Sequence, residues 1–155
     1  MEAALRVLVV DDERFFREAI REALEVAGCS VTTAENGALA LDLAEGGGFG
    51  VVVLDVQMPG MDGIEVLRRL RERQSDTRVI ILSAHTGQEL VIDALRLGAV
   101  DYLAKPLHDE ELVLAVRRAH TAWRESQDLA ALRRRLGCLA ERVRAFAHEP
   151  GAMLD

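Results

Sequence analysis

The chain is poor in the residues that would tie it to a membrane, a metal cage or a nucleic acid. Two cysteines, Cys29 and Cys138, are far apart and lack the spacing of metal ligands. That argues against a disulfide framework and a zinc site, and leaves both as free thiols. No apolar stretch approaches the roughly 20 residues needed to span a bilayer. The N-terminus has no basic segment followed by an apolar one, so it does not read as a secretion signal. The expectation is a cytoplasmic protein without a membrane contact. Positive charge is also short, with a net charge of −7. Residues 125–155 hold five basic and five acidic side chains, so the excess acid falls in residues 1–124, where 14 basic face 21 acidic. Such a chain lacks the basic footprint that neutralises phosphates along a nucleic acid, and Arg133-Arg134-Arg135 reads as a solvated helix face.

What is present is apolar material for one core: 155 residues, half of them hydrophobic, suffice for one ordinary domain and an appended element. The pattern alternates. Strands are predicted at about 5–10, 30–34, 51–55, 78–83 and 100–104. Helices are predicted at about 14–27, 37–45, 63–73 and 87–97, with a fifth starting near Asp109. Gly28 and Gly98 stand where a left-handed helix stop is easiest, and Gly46-Gly47-Gly48 breaks the second helix. Asp62, with Glu65 three residues later, predicts a capping box for the third. Strands 1, 3 and 4 are apolar throughout, as expected of central parallel strands covered on both faces, and the alternation predicts right-handed βαβ units.

The strand ends carry chemistry. Val7-Leu8-Val9-Val10 runs into Asp11-Asp12, Val51-Val52-Val53-Leu54 into Asp55, Val79-Ile80-Ile81-Leu82 into Ser83, and Val100-Asp101-Tyr102-Leu103-Ala104 into Lys105-Pro106. In an open parallel sheet the ligand crevice lies beyond the carboxyl ends of the strands, so these distant residues can share one site. Taken alone, Asp11-Asp12 reads equally well as an N-cap for the first helix, and Lys105 as a solvated turn lysine.

In this order and spacing, Asp11-Asp12, Asp55 with Met58-Pro59-Gly60-Met61-Asp62-Gly63, Ser83-Ala84 and Lys105-Pro106 resemble the receiver domain of two-component response regulators. The resemblance covers about residues 5–124. It implies a flavodoxin-like, doubly wound five-stranded parallel sheet in the order 2-1-3-4-5, here with an extended C-terminal helix. It also implies a phosphoacceptor switch rather than a turnover enzyme. Asp55 matches the aspartate that takes a phosphoryl group from a sensor histidine kinase. Asp11, Asp12, Asp55 and the backbone carbonyl of Gln57 match the Mg²⁺ ligands, an all-oxygen set suited to that ion. Lys105 and Ser83 match the groups that meet phosphoryl oxygens, and the Lys105-Pro106 bond is expected to be cis. Tyr102 matches an aromatic switch coupled to Ser83, although from the residues alone it reads as a half-buried strand tyrosine. Gln57 and His85 match positions that tune the phosphate lifetime. A phosphatase of the haloacid-dehalogenase type would place its paired acids two apart after strand 1, which this chain does not. A flavin phosphate would be repelled by the acids.

Beyond helix 5, with Leu112, Val116, Ala119 and Trp123 on one face, the residues Leu129, Leu132, Leu136, Leu139, Val143 and Phe146 recur at alternating spacings of three and four. This heptad seam makes residues 125–155 a helical extension, either a dimerisation coiled coil or a linker to an output domain absent from this chain. His148-Glu149-Pro150-Gly151 is predicted to end it. The implied partners are the kinase, a second copy, and a downstream protein target or missing output domain. No nucleic acid is expected to be contacted by this chain. The alternative function is a receiver that is not phosphorylated and serves as a dimerisation scaffold.

Overall fold

The computed structural model describes residues 5–73, 76–84 and 88–147. Its elements alternate: β1 Arg6–Val10, α1 Arg14–Val26, β2 Ser30–Ala34, α2 Gly37–Glu45, β3 Val51–Asp55, α3 Gly63–Glu72, β4 Arg78–Ser83, α4 Gln88–Arg96, β5 Asp101–Ala104 and α5 Asp109–Ala147. The five strands form one parallel sheet in the order β2-β1-β3-β4-β5, so the three runs that are apolar throughout are the interior strands. β3 is buried at every position, which is why it carries no polar alternation.

Burying both faces of the sheet produces two cores. On one face Leu8, Val10, Val52, Leu54, Val79 and Ile81 pack with Leu41, Val66, Leu67 and Leu70 from α2 and α3. On the other, Val7, Val9, Val51, Val53, Ile80 and Leu82 pack with Ile20 and Leu24 of α1 and with Leu112, Val116 and Ala119 of α5. The alternation of Cβ directions along each strand sends successive residues to opposite cores. Trp123 is half-buried, and its ring lies against Gly50, where an added Cβ would come within 2.8 Å of it.

Helix ends follow local chemistry. Gly28 and Gly98 adopt φ of 95° and 91° after α1 and α4, the left-handed stop that only glycine enters without cost. Asn36 and Asp62 cap α2 and α3, their side chains accepting from the N–H groups of Leu39 at 2.8 Å and Glu65 at 2.9 Å. The predicted capping box is only half made, because the Glu65 carboxylate turns to Arg68 and Arg69 on the next turn. α5 passes through Gly137 as one helix to Ala147. Its predicted end at Pro150-Gly151 lies outside the described residues. The chain divides into two compact units between Trp123 and Arg124.

Candidate functional site

Parallel register brings the strand ends level. Val10 pairs with Leu54, Asp55 with Leu82, and Ser83 with Ala104, so the residues that terminate β1, β3, β4 and β5 share one edge of the sheet. Three carboxylates gather there: oxygens of Asp11, Asp12 and Asp55 all lie within 4.8 Å of one another. Asp11 and Asp55 are buried, at 0 % and 3 % exposure, while Asp12 is exposed.

Lys105 reaches into this group. Its ammonium lies 3.0 Å from Asp11 Oδ2 and 3.4 Å from Asp55 Oδ2, with the side chain only 9 % exposed. The Lys105-Pro106 bond is cis, and the Lys105 amide donates to the Ser83 carbonyl at 2.9 Å, fastening the strand ends together. Lys105 is the single lysine of the chain against 18 arginines. An ammonium is a compact point charge, whereas guanidinium is a planar fork, and the narrow space between two buried carboxylates suits the former.

The remaining hydrogen bonds hold the acids in place. Asp11 Oδ1 accepts from the Glu13 amide at 2.9 Å, and Asp55 Oδ1 from the Gln57 amide at 3.2 Å. The N-cap alternative for the acid pair is not realised, because the N-cap residue of α1 is Glu13 and makes no side-chain cap bond. Arg17 donates to the Asp11 backbone carbonyl at 2.8 Å.

The electrostatics are those of too much anion in too little water. Burial, and then the charge of Asp11, push the Asp55 carboxyl up to about 6; Lys105 and the Gln57 amide oppose the rise. Burial also works against the Lys105 ammonium. The hydrogen bond to Asp11 and the charges of Asp11 and Asp55 outweigh it, so the amine stays protonated to higher pH than usual. One ammonium against three carboxylates leaves the cluster negative, and its donors are all oxygen. That fits a hard divalent cation such as Mg²⁺, for which Asp11, Asp12 and Asp55 are suitable ligands.

The other expected site residues are placed as follows. Ser83 is fully buried at the end of β4. Tyr102 is half-buried and packs against the α2 and α3 core. The Gln57 side chain is exposed beside Asp55, and His85 lies outside the described residues. The seam residues Leu129, Leu132, Leu136, Leu139, Val143 and Phe146 are 48–67 % exposed on α5, away from this cluster in sequence and in the second unit.

Two features went unnoticed in the sequence. The Phe16 ring lies under the lysine, 4.5 Å from Nζ to ring centroid. Its signal was the stripe Phe16, Ile20, Leu24, which points one face of α1 at the sheet and leaves its first member at the strand ends. Gly63 sits against the backbone of Asp55, where a Cβ would come within 2.4 Å of the Asp55 carbonyl oxygen; no sequence pattern encodes that contact.

Residues 7–117 match the family described as response regulator receiver domain. Among curated proteins, the chain is 38% identical over 145 residues to the transcriptional regulatory protein FixJ of Bradyrhizobium diazoefficiens, covering 89% of this chain and 69% of that one. It is 42% identical over 119 residues to the C4-dicarboxylate transport transcriptional regulatory protein DctD of Pseudomonas aeruginosa, covering 76% of this chain but 26% of the relative. The chain therefore spans from about a quarter to just over two thirds of these relatives. Among solved structures, the chemotaxis protein CheY4 of Vibrio cholerae superposes with a TM-score of 0.72 at 33% identity, covering 76% of this chain and 99% of that one.

Proposed function

The chain belongs to the response regulator receiver family, and from that premise we propose that Asp55 accepts a phosphoryl group from the phosphohistidine of a sensor histidine kinase. The observation that supports this most directly is the convergence of Asp11, Asp12 and Asp55 with Lys105 at the ends of strands distant in sequence. In the transfer, a carboxylate oxygen of Asp55 forms a bond to phosphorus as the bond from phosphorus to the donor nitrogen breaks, and the electron pair leaves with the imidazole. Asp55 must be ionised to attack, and in the metal-free cluster burial and the charge of Asp11 oppose that form while Lys105 and the Gln57 amide favour it.

Anion approaching anion is the main barrier, and two groups of the chain lower it. The Lys105 ammonium, already against Asp55, neutralises one phosphoryl oxygen, and the Ser83 hydroxyl donates to another. Asp11, Asp12, Asp55 and the Gln57 carbonyl would hold Mg²⁺, which when bound offsets charge on the phosphoryl oxygens. Gln57 and His85 then tune how fast water hydrolyses the acyl phosphate.

Modification adds about −1.5 to −2 charge. We place the response in Ser83 and Tyr102: movement of the hydroxyl toward the phosphoryl group vacates space that the half-buried ring occupies, which changes the surface of α4, β5 and α5. Two of the relatives are named transcriptional regulators, so the output of this chain is a downstream protein or a domain outside the matched region. Among the described residues no helix is long and apolar enough to cross a membrane, in keeping with a cytoplasmic site of action. No observation favours a scaffold that is never phosphorylated, since every reactive group of the cluster is present.

Incubation with a small phosphodonor and Mg²⁺, followed by intact mass, tests the reading. Wild type should gain one phosphoryl group and Asp55→Asn none. Equal labelling of both, or no labelling of the wild type, would overturn it.

A further inference from the structure

We propose that residues 126–147 of α5 pair with the same segment of a second copy of this chain as a parallel, in-register, two-stranded coiled coil. From Leu132 onward every described residue of this helix is exposed, and with Leu129 all six large apolar side chains of the seam are. Most of a helix's stability in a protein comes from packing its amphipathic face, and a continuous apolar stripe left exposed calls for a complementary stripe. The seam supplies its own complement. With Leu129, Leu136 and Val143 at the a positions and Leu132, Leu139 and Phe146 at d, two copies present matching layers along about 26 Å of helix.

The flanking charges choose the direction. The g edge carries Asp128, Arg135 and Arg142, and the e edge Ser126, Arg133, Ala140 and Ala147. In a parallel pair g faces e five residues on in the other copy. Asp128 then meets Arg133 twice, Arg135 and Arg142 meet alanines, and no like charges oppose each other. In an antiparallel pair that keeps all six layers, the g edges run side by side and bring four guanidiniums together. Gly137 and Cys138 fall at b and c, on the outside, where neither interrupts the layers.

The test is sedimentation velocity on the full chain. Wild type should form dimers, and Leu136→Glu should raise the dissociation constant at least tenfold, while Arg134→Glu on the outer f position leaves it within about twofold. Asp128→Arg should weaken the dimer a few-fold, and adding Arg133→Asp should restore it. With Cys29→Ser and Cys138→Ser in place, Leu139→Cys should oxidise to a covalent dimer only if the helices are parallel and in register. A monomeric wild type, a dimer indifferent to Leu136→Glu, or a dimer in which Leu139→Cys fails to cross-link would each overturn the proposal.

A separate observation carries a second inference, which rests on the reading of Lys105 given above. The aromatic face of Phe16 lies 4.5 Å from the Lys105 ammonium, which also pairs with Asp11 and Asp55. We infer that Phe16 is a positioning residue, holding the cation at the carboxylate cluster through its ring quadrupole. Because Lys105 is the only lysine, lysine-selective isotope labelling gives one side-chain spectrum to follow in the metal-free protein. Its ε-methylene signal should be ring-current shifted in wild type and in Phe16→Trp, and should move to the random-coil position in Phe16→Leu. Phosphorylation from a small phosphodonor should slow about three- to tenfold in Phe16→Leu, recover in Phe16→Trp, and show no further loss when Phe16→Leu is added to Lys105→Met. An unshifted wild-type signal, or equal rates for Leu and wild type, would overturn the inference. The spectrum tests it even if the phosphorylation experiment fails.

Discussion

Replacing Gly63 by alanine places one methyl group where the fold has no room. The new carbon would lie 2.4 Å from the Asp55 carbonyl oxygen and 2.7 Å from Val56 Cα, well inside van der Waals contact. Neither neighbour can give. The Val56 amide donates to Leu82 at 3.0 Å, and the Gly63 amide donates to Val56 at 2.9 Å. Asp55 also closes β3, the strand held between β1 and β4. Gly63 is not in the left-handed region, so the effect is contact rather than backbone strain. Overpacking of this kind costs about 3 kcal/mol, the upper end of the usual range. With about 2.1 cal/mol/K of unfolding entropy per residue over roughly 120 residues, each kcal/mol moves the melting temperature by about 4 °C. Calorimetry should therefore find Gly63→Ala melting about 10–12 °C below wild type. Mg²⁺ titration should find weaker binding, since relief of the overlap moves the strand end that carries Asp55. Gly137→Ala is the control, because nothing lies within 4 Å of that Cβ and alanine is the better helix former. A Gly63→Ala protein that melts within about 2 °C of wild type and binds Mg²⁺ equally well would refute the reasoning.

Asp55 gives a pH signature: its folded value of about 6 stands above the roughly 3.9 of an unfolded aspartate. The stability it contributes is complete below about pH 4 and is lost as pH rises through about 6. Thermal melts of the metal-free protein should show that loss in wild type and not in Asp55→Asn. Mg²⁺ needs the carboxylate, so its affinity should fall from pH 7 to pH 5; calorimetric titration giving equal affinities would contradict the assignment. Arg71 donates to the carbonyls of Thr77, Leu97 and Gly98, tying the end of α4 to α3. Arg71→Met should cost about 2–3 kcal/mol and speed amide exchange at residues 94–99; unchanged exchange there would show that the guanidinium holds nothing.

The strands and the carboxylate cluster at their ends were legible because burial on both faces writes continuous apolar runs, and because each run stops at a residue too polar to belong to it. Asp11, Asp55, Ser83 and Lys105 stand out for that reason. What could not be read was the partner of each group. Phe16 and Lys105 are 89 positions apart, and the packing of α1 on the sheet brings ring to ammonium. Glu65 had the spacing of a capping box, yet two arginines on the following turn compete for the same carboxylate and win it. Local sequence names a side chain's options; the choice among them is made by neighbours that arrive from elsewhere in the chain.

Asp11 and Lys105 are separated by 94 positions, with four strands laid down between one and the next. A chain emerging from the ribosome has both acid-bearing strands well before the last strand, and a sheet made of parallel, non-local pairings closes slowly. During that interval the carboxylates exist without the ammonium, so a partly made chain has the charge of the site and not its reactivity. If Asp55 accepts a phosphoryl group as proposed, that competence is deferred until synthesis has passed the fifth strand.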